Sequence, residues 1–456
     1  MIVNTAYETE AVKNGEVKLP DLVPALSTDA SEYEFANLLQ SQLPPVKTVG
    51  TEWFAYLNGN WQKIKRDTLR PVAQSVLPES IRTARRESTL LEHLEGRLQA
   101  NPDSFRGFYC FDESGNVLLN VRNGVVKVTP DSIEMQPHSA DHLFTRQAGS
   151  EYNPKAKAEL FRRVLEEALP DPDDRLLLQL CCGNFLLPDC RFETALVCYG
   201  EAGRGKSTIA DPISTALGVE LVARLSMSQI CDPKSYHLPK LRYAAVNLGT
   251  ELGTVTVDES ANFKTIVSGE PIEARPIYGE PFTMFSTAKL WFLANGLPRF
   301  KHGTEAELRR TRFIRFDVAP TKKDVTLKSR LLAEKDGVFG FMIEGLQMLL
   351  GATEIPLGGK ESKAVHERFR VSNDPVGAFV ESCCQMSSEV TERKEYLRSA
   401  FVEFSRKHEL PDCCAEWFFK ALYERFTNLR ETQPRINGEK VRCIAGIRLK
   451  SVIETD

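Results

Sequence analysis

No apolar run in this 456-residue chain approaches the roughly 20 residues that a membrane-spanning helix needs. The N-terminus also lacks the basic-then-apolar order of a secretion signal. The 11 cysteines include no CxxC and no pairing with histidine at zinc spacing, which argues against a metal–thiolate site. Six of them are vicinal (Cys181-Cys182, Cys383-Cys384, Cys413-Cys414), a poor geometry for a disulfide framework. With an odd total and no signal, they are expected to be reduced thiols in a cytosol. Neither sign of charge dominates: 58 Lys+Arg against 62 Asp+Glu leave a net −4. Any contact with nucleic acid therefore has to come from a local basic surface.

What is present is organised around Thr194–Leu217. Ala195-Leu196-Val197-Cys198-Tyr199 is a short apolar run, read as a buried strand. Gly200-Glu201-Ala202-Gly203-Arg204-Gly205-Lys206-Ser207 follows at once, and then Thr208 and a helical pattern through Ile209, Ile213 and Leu217. Strand, glycine loop and helix in that order are a phosphate-binding loop. Glycines let backbone N–H groups turn inward around phosphates, and the helix start adds its positive dipole end. Lys206 brings a charge to the β- and γ-phosphates, and the Ser207 hydroxyl is placed to ligate Mg²⁺. Pro212 falls inside the helix and is expected to kink or shorten it. The chain is expected to bind a nucleoside triphosphate, ATP, with Mg²⁺.

Length suggests about three domains, and 42% hydrophobic with 26% charged residues is the composition of a globular protein. Residues 1–34 carry seven acidic side chains against Lys13 and Lys18, and 1–50 is read as a flexible acidic lead-in. Residues 51–150 read as an α+β domain. Trp53–Leu57 and Trp61–Ile64 flank Asn58-Gly59-Asn60, while Val117–Val121 and Val125–Val128 flank Arg122-Asn123-Gly124, two hairpin signals. Pro78–Leu98 is helical by periodicity, and no Asp-x-Asp pair marks a nucleotidyl-transfer site. Residues 151–190 read as helices that suit either an inter-subunit collar or a buried core. The nucleotide core is assigned to 191–357. Gly358-Gly359-Lys360 marks a linker into a C-terminal unit, 358–456, with helices at Tyr396–Phe404 and Trp417–Phe426 and a strand at Val441–Leu449 after Asn437-Gly438. Between Ala415 and Lys450 eight lysines and arginines face four glutamates, a modest basic surface suited to duplex phosphates or to a protein partner.

Two further strands complete the candidate site. Arg242–Leu248 ends at Gly249-Thr250-Glu251, and Glu251 is the candidate carboxylate for polarising water and holding Mg²⁺. Leu290–Ala294 ends at Asn295, whose amide could hold the attacking water or sense the γ-phosphate. Beyond them Arg309-Arg310 offers a guanidinium that could enter a neighbouring subunit's phosphate site.

Taken as a set, these elements resemble the superfamily 3 helicases, in the branch found in phage, plasmid and poxvirus-type primase-helicases. Gly200–Ser207 resembles the first motif and the strand ending at Glu251 the second. Lys264-Thr265-Ile266-Val267-Ser268-Gly269-Glu270, with Ala274-Arg275 and Tyr278-Gly279-Glu280, is similar to the motif that builds a DNA-contacting pore hairpin. Lys289–Asn295 with Pro298 resembles the asparagine motif, and Arg309-Arg310 with Phe316 the arginine motif. Trp53–Cys190 looks like the domain preceding the helicase core, including Asn123-Gly124 and Tyr152-Asn153-Pro154, and residues from Asp374 look like a winged helix. Thr250 stands where many relatives carry an acid, and the primase half fused in many relatives is absent.

The resemblance implies an α/β protein with an AAA+ type P-loop core, an N-terminal α+β domain and a C-terminal winged helix. It implies a hexameric replicative helicase of a mobile element in a bacterial host cytoplasm, moving 3′ to 5′ on single-stranded and forked DNA, with a separate primase or initiator as a candidate partner. Lys264, Arg275 and Tyr278 would touch DNA, and Arg309 or Arg310 would reach across to a neighbour's ATP. The rival readings are an origin-binding or loader ATPase that does not unwind, and a small-molecule P-loop kinase.

Overall fold

Lys289–Ala294 is buried along its whole length, as the middle strand of a parallel sheet covered on both faces must be. In the computed structural model, which describes residues 26–251, 256–257, 259–300, 305–319, 324–408, 410–436 and 439–450, it lies third of five strands. These are β1 (Ala195–Tyr199), β2 (Val222–Ala223), β3 (Val246–Glu251), β4 (Lys289–Ala294) and β5 (Thr311–Arg315), in the order β5-β1-β4-β3-β2, all parallel. Alternate residues of one strand fall into different cores, the period-2 signature of a two-faced sheet. Leu196, Cys198, Trp291 and Leu293 face one, and Ala195, Val197, Leu290 and Phe292 the other.

The first core is closed by α1 (Lys206–Leu217) and by the helices Glu159–Ala168, Pro172–Asn184 and Lys335–Leu350. Leu177, Leu178, Cys181 and Cys182 are buried there against Lys335–Leu350. The buried-core alternative thus accounts for the apolar stripe read as a collar. Helix α1 runs on past Pro212 to Leu217, so the proline does not shorten it. Ile209, Ile213, Ala216 and Leu217 are all buried. At about 1.5–3 kcal/mol for each large side chain, that burial outweighs the roughly 3 kcal/mol a mid-helix proline costs. The second core holds α2 (Ala261–Ser268), the hairpin Ile272–Ala274/Phe282–Met284 and the helix Lys360–Asn373.

Upstream, residues 51–150 divide between two packing units rather than one. The antiparallel strands Val46–Val49, Glu52–Leu57 and Asn60–Ile64 pack with helices Glu32–Gln42, Arg70–Ser75 and Ala84–Arg97 around Trp53, Leu90 and Leu94. The four-stranded meander Tyr109–Gln136 instead turns Val117, Leu119 and Val126 into the first core of the central sheet. Both expected hairpins form, with Leu57 opposite Asn60 and Val121 opposite Gly124.

Three boundaries differ from expectation. Of the lead-in expected over 1–50, residues 1–25 lie outside the described residues. Glu32–Gln42 is a helix, because Ser31 and Glu34 form a capping box and Phe35, Ala36 and Leu39 are buried. The helix expected from Pro78 starts at Ala84, capped by Thr83. Gly358-Gly359 is not a free linker: the Gly359 N–H donates to Asp174 Oδ1 at 2.7 Å, and the helix after it packs Val365 and Phe369 into the second core.

The C-terminal unit begins at Pro375, with Asp374 capping its first helix. Helices Pro375–Cys383, Lys394–Lys407 and Ala415–Arg425 pack on the three-stranded sheet Cys384–Arg393/Cys443–Leu449/Arg430–Thr432 around Phe379, Phe401 and Phe418. The Asn437-Gly438 turn lies outside the described residues. No helix among the described residues is long and apolar enough to cross a membrane.

Candidate functional site

Strand register brings the motifs together. Tyr199 of β1 lies beside Ala294 of β4, and Ala294 beside Glu251 of β3. Three adjacent parallel strands therefore end in line, at the usual spacing of about 4.8 Å. The residues that follow, Gly200 and Asn295, fall on one edge with Glu251. This edge is the C-terminal end of the strands, where ligands of open α/β sheets bind.

The glycine loop is shaped by close approach. A Cβ at Gly200 would lie 2.1 Å from the Phe316 carbonyl oxygen, so only glycine fits beside the end of β5. Gly205 takes the N-cap position of α1 with φ +88°, a left-handed conformation that glycine adopts without strain. With glycine there, no side chain caps the first N–H groups of α1, and helix starts with open N–H groups are ready anion sites.

Lys206 turns back into this loop. Its Nζ donates to the Gly200 carbonyl, to the Glu201 carbonyl at 2.7 Å and to Asn295 Oδ1 at 2.9 Å. The side chain is only 8% exposed, and desolvation pulls its pKa below the ordinary lysine value. It has no carboxylate partner among the described residues. Glu201 pairs instead with Arg204, at 2.6 Å. Ser207 and Thr208, on the first turn of α1, line a cavity of about 270 Å³ whose far wall is Asp324, Leu327 and Lys328. Lys328 closes one side by pairing with Asp211 at 2.6 Å. The motifs gave no hint of this wall, which arrives from more than a hundred residues downstream. The backbone of Glu251 is placed as expected, but its side chain is outside the described atoms.

The arginine pair sits elsewhere. Arg309 and Arg310 end the short helix Glu305–Arg310, just before Thr311, which lies opposite Ala195. They stand at the start of β5 while the glycine loop follows the end of β1, five residues and about 16 Å away. Neither lies within side-chain reach of the glycine loop of its own chain. Arg310 is tied down: its guanidinium lies 2.8 Å from Glu193, donates to Ser268 Oγ at 3.0 Å, and its side chain is 12% exposed. Arg309 is 68% exposed, and its nearest carboxylate, also Glu193, is 3.7 Å away.

Two of the three expected DNA contacts share the hairpin; the third does not. Arg275 and Tyr278 occupy the connection between Ala274 and Phe282, where the Gly279 N–H closes a turn on the Pro276 carbonyl. Tyr278 is fully exposed with φ +61°, unusual for a bulky residue and the kind of local strain that marks contact sites. Arg275 Nε donates to the Gly279 carbonyl at 3.2 Å and braces the tip. Lys264 lies on α2 instead, 3.4 Å from the buried carboxylate of Glu307.

Two family models match the chain. One, described as D5 N terminal like, covers residues 46–170; the other, a family of unknown function (DUF5906), covers 198–310, from the end of β1 to Arg310. No curated protein matches. Among solved structures the chain is similar to the A form apo structure of the NrS-1 C terminal region, at 11% identity and a TM-score of 0.53, over 90% of this chain and 98% of that one. A second apo structure of that region gives 11% identity and a TM-score of 0.51 over 91% and 99%. At that identity the likeness is one of fold.

Proposed function

We propose that this chain is an ATP-driven, ring-forming DNA helicase of the primase-helicase type found in mobile elements, with an AAA+ P-loop core and a C-terminal winged helix. The observation that carries the reading is Lys206. A cation held by carbonyl oxygens and by Asn295, with no carboxylate beside it among the described side chains, leaves its charge for a phosphate to neutralise. The strand order, the glycine loop at the sheet's C-terminal edge, and the D5 N terminal like match over residues 46–170 support the same reading.

In this reading the open N–H groups of α1 and Lys206 hold the β- and γ-phosphates, and the cavity beside Thr208 takes the nucleoside end. The hard oxygen donors offered by Ser207 and Glu251 fit Mg²⁺ completed by phosphate and water. The ion would neutralise charge on the β- and γ-oxygens. Glu251 takes the proton of the attacking water, and Asn295 exchanges its bond to Lys206 for one to the γ-phosphate or that water. Arg309 is the finger for a neighbouring subunit, since Arg310 is held within its own chain. The hairpin tip at Tyr278 carries the motion to DNA.

The test is complementation. Lys206→Ala and Arg309→Ala are each expected to abolish hydrolysis, the second by the 10³–10⁵ in rate that arginine fingers supply. Mixed in equal amounts they should recover part of the activity, because a mixed ring contains interfaces with both groups intact; no recovery at any ratio rules out a shared site. On a forked substrate the wild type should displace a strand. Tight duplex binding without displacement would favour the loader reading instead.

A further inference from the structure

A second aromatic surface lies beside the hairpin, and nothing in the nucleotide chemistry uses it. Arg242 and Tyr243 precede β3 and are both exposed, Tyr243 by 45%. The Arg242 guanidinium lies 5.1 Å from the centroid of the Tyr243 ring and 5.4 Å from that of Phe282, on the second hairpin strand. Arg146, from the meander side of the molecule, approaches the same tyrosine ring at 5.4 Å. Arg146 shares its charge with Glu220 at 3.9 Å, whereas Arg242 has no carboxylate partner among the described residues. Just beyond Phe282–Met284, Phe285 is also largely exposed.

The arrangement is specific in what it can hold. Guanidinium groups set beside rings at the surface, as at exposed Tyr243 and half-buried Phe282, are worth only about 0.5–1 kcal/mol each to the fold, so stability alone gives little reason for the arrangement. An acidic protein surface would answer the charge but leave the rings facing water. A single nucleic-acid strand supplies both complements at every nucleotide, a phosphate for the arginine and a flat base for the ring. A duplex offers its phosphates and the base edges in its grooves but no open base face, because its bases are stacked inside. The strip adjoins the N-terminal ends of the strands, the end from which the hairpin springs and the one opposite the glycine loop. Binding there leaves the nucleotide site open.

We infer that Arg146, Tyr243, Arg242 and Phe282 form a binding strip for single-stranded DNA, with Arg242 on phosphate and Tyr243 stacked on a base, leading the strand to the hairpin tip. This rests on the helicase reading, which supplies the strand.

The test is fluorescence anisotropy of the full chain with a labelled oligothymidine of about 20 nucleotides, long enough to cover a typical single-strand site. Tyr243→Ala and Arg242→Glu should each weaken binding about tenfold, the scale of one lost base–aromatic stack. Tyr243→Phe should stay within about twofold of wild type, since the ring face is kept. Thermal melting of each variant separates lost contact from lost fold, and Arg242→Glu, fully on the surface, stands in if Tyr243→Ala unfolds. Wild-type affinity in both Tyr243→Ala and Arg242→Glu overturns the strip, as does Tyr243→Phe losing as much as Tyr243→Ala. Displacement of the oligonucleotide by polyglutamate at equal charge would make this an acidic-protein surface and also overturns it. A wild-type chain that binds no oligothymidine at low salt overturns the helicase reading itself, an outcome distinct from the others.

Discussion

Where the strands of the central sheet finish, Lys206 is almost wholly buried and every described hydrogen bond of its amine goes to an oxygen of the same chain. Where they begin, Tyr278 stands fully exposed on a strained turn and Arg242 faces solvent between two aromatic rings. The two edges belong to one rigid sheet yet follow opposite rules. A site that hydrolyses a bond must hold its groups in place and admit only the attacking water, so its polar atoms are pre-paired and exchange partners when substrate arrives. A surface that grips a moving polymer has to let go, so its groups are few, exposed and individually weak.

That contrast can be broken at either edge. Beyond the losses expected for Lys206→Ala and Arg309→Ala, the largest effect is expected from Glu251→Gln, which should lower ATP turnover by about 10²–10⁴, the range for loss of a general base, while nucleotide affinity stays near wild type. Affinity and turnover falling together would make Glu251 a binding group and blur the distinction. Arg310→Ala comes next, as a stability effect: losing its bonds to Glu193 and Ser268 should lower unfolding free energy by about 1–3 kcal/mol, read as a shift of the urea midpoint. An unshifted midpoint with turnover abolished would move the finger from Arg309 to Arg310. The smallest is Tyr278→Ala, expected to reduce stimulation of ATP turnover by single-stranded DNA several-fold, roughly one weak contact's worth. Full stimulation in that variant would leave the strained tip without a role in DNA contact.

Much of the candidate site at the strand ends was legible because its signals are local. Tyr199, Gly200, Lys206, Glu251 and Asn295 each close a strand or open a helix, and strand ends can be read from a few residues. What sequence could not supply was partnership across distance. That Lys206 would bond Asn295, or Arg310 bond Glu193, depends on segments 89 and 117 positions apart brought together by strand order. Lys264 fell on a helix because the motif's spacing describes a stretch of chain, not one face of it. The helix Glu32–Gln42 was available in principle, through Ser31 and Glu34, but an acidic composition masked a capping signal only four residues long.

The seat of Gly200 against Phe316 has a mechanical consequence. The Phe316 N–H also bonds the Tyr199 carbonyl at 2.8 Å, so the glycine loop and the far end of β5 are clamped at one point. The other end of β5 leads directly back to Arg309. Loop and arginine are thus joined by one extended strand with no slack between them, so that any displacement of the loop would be carried along a stiff rod to Arg309.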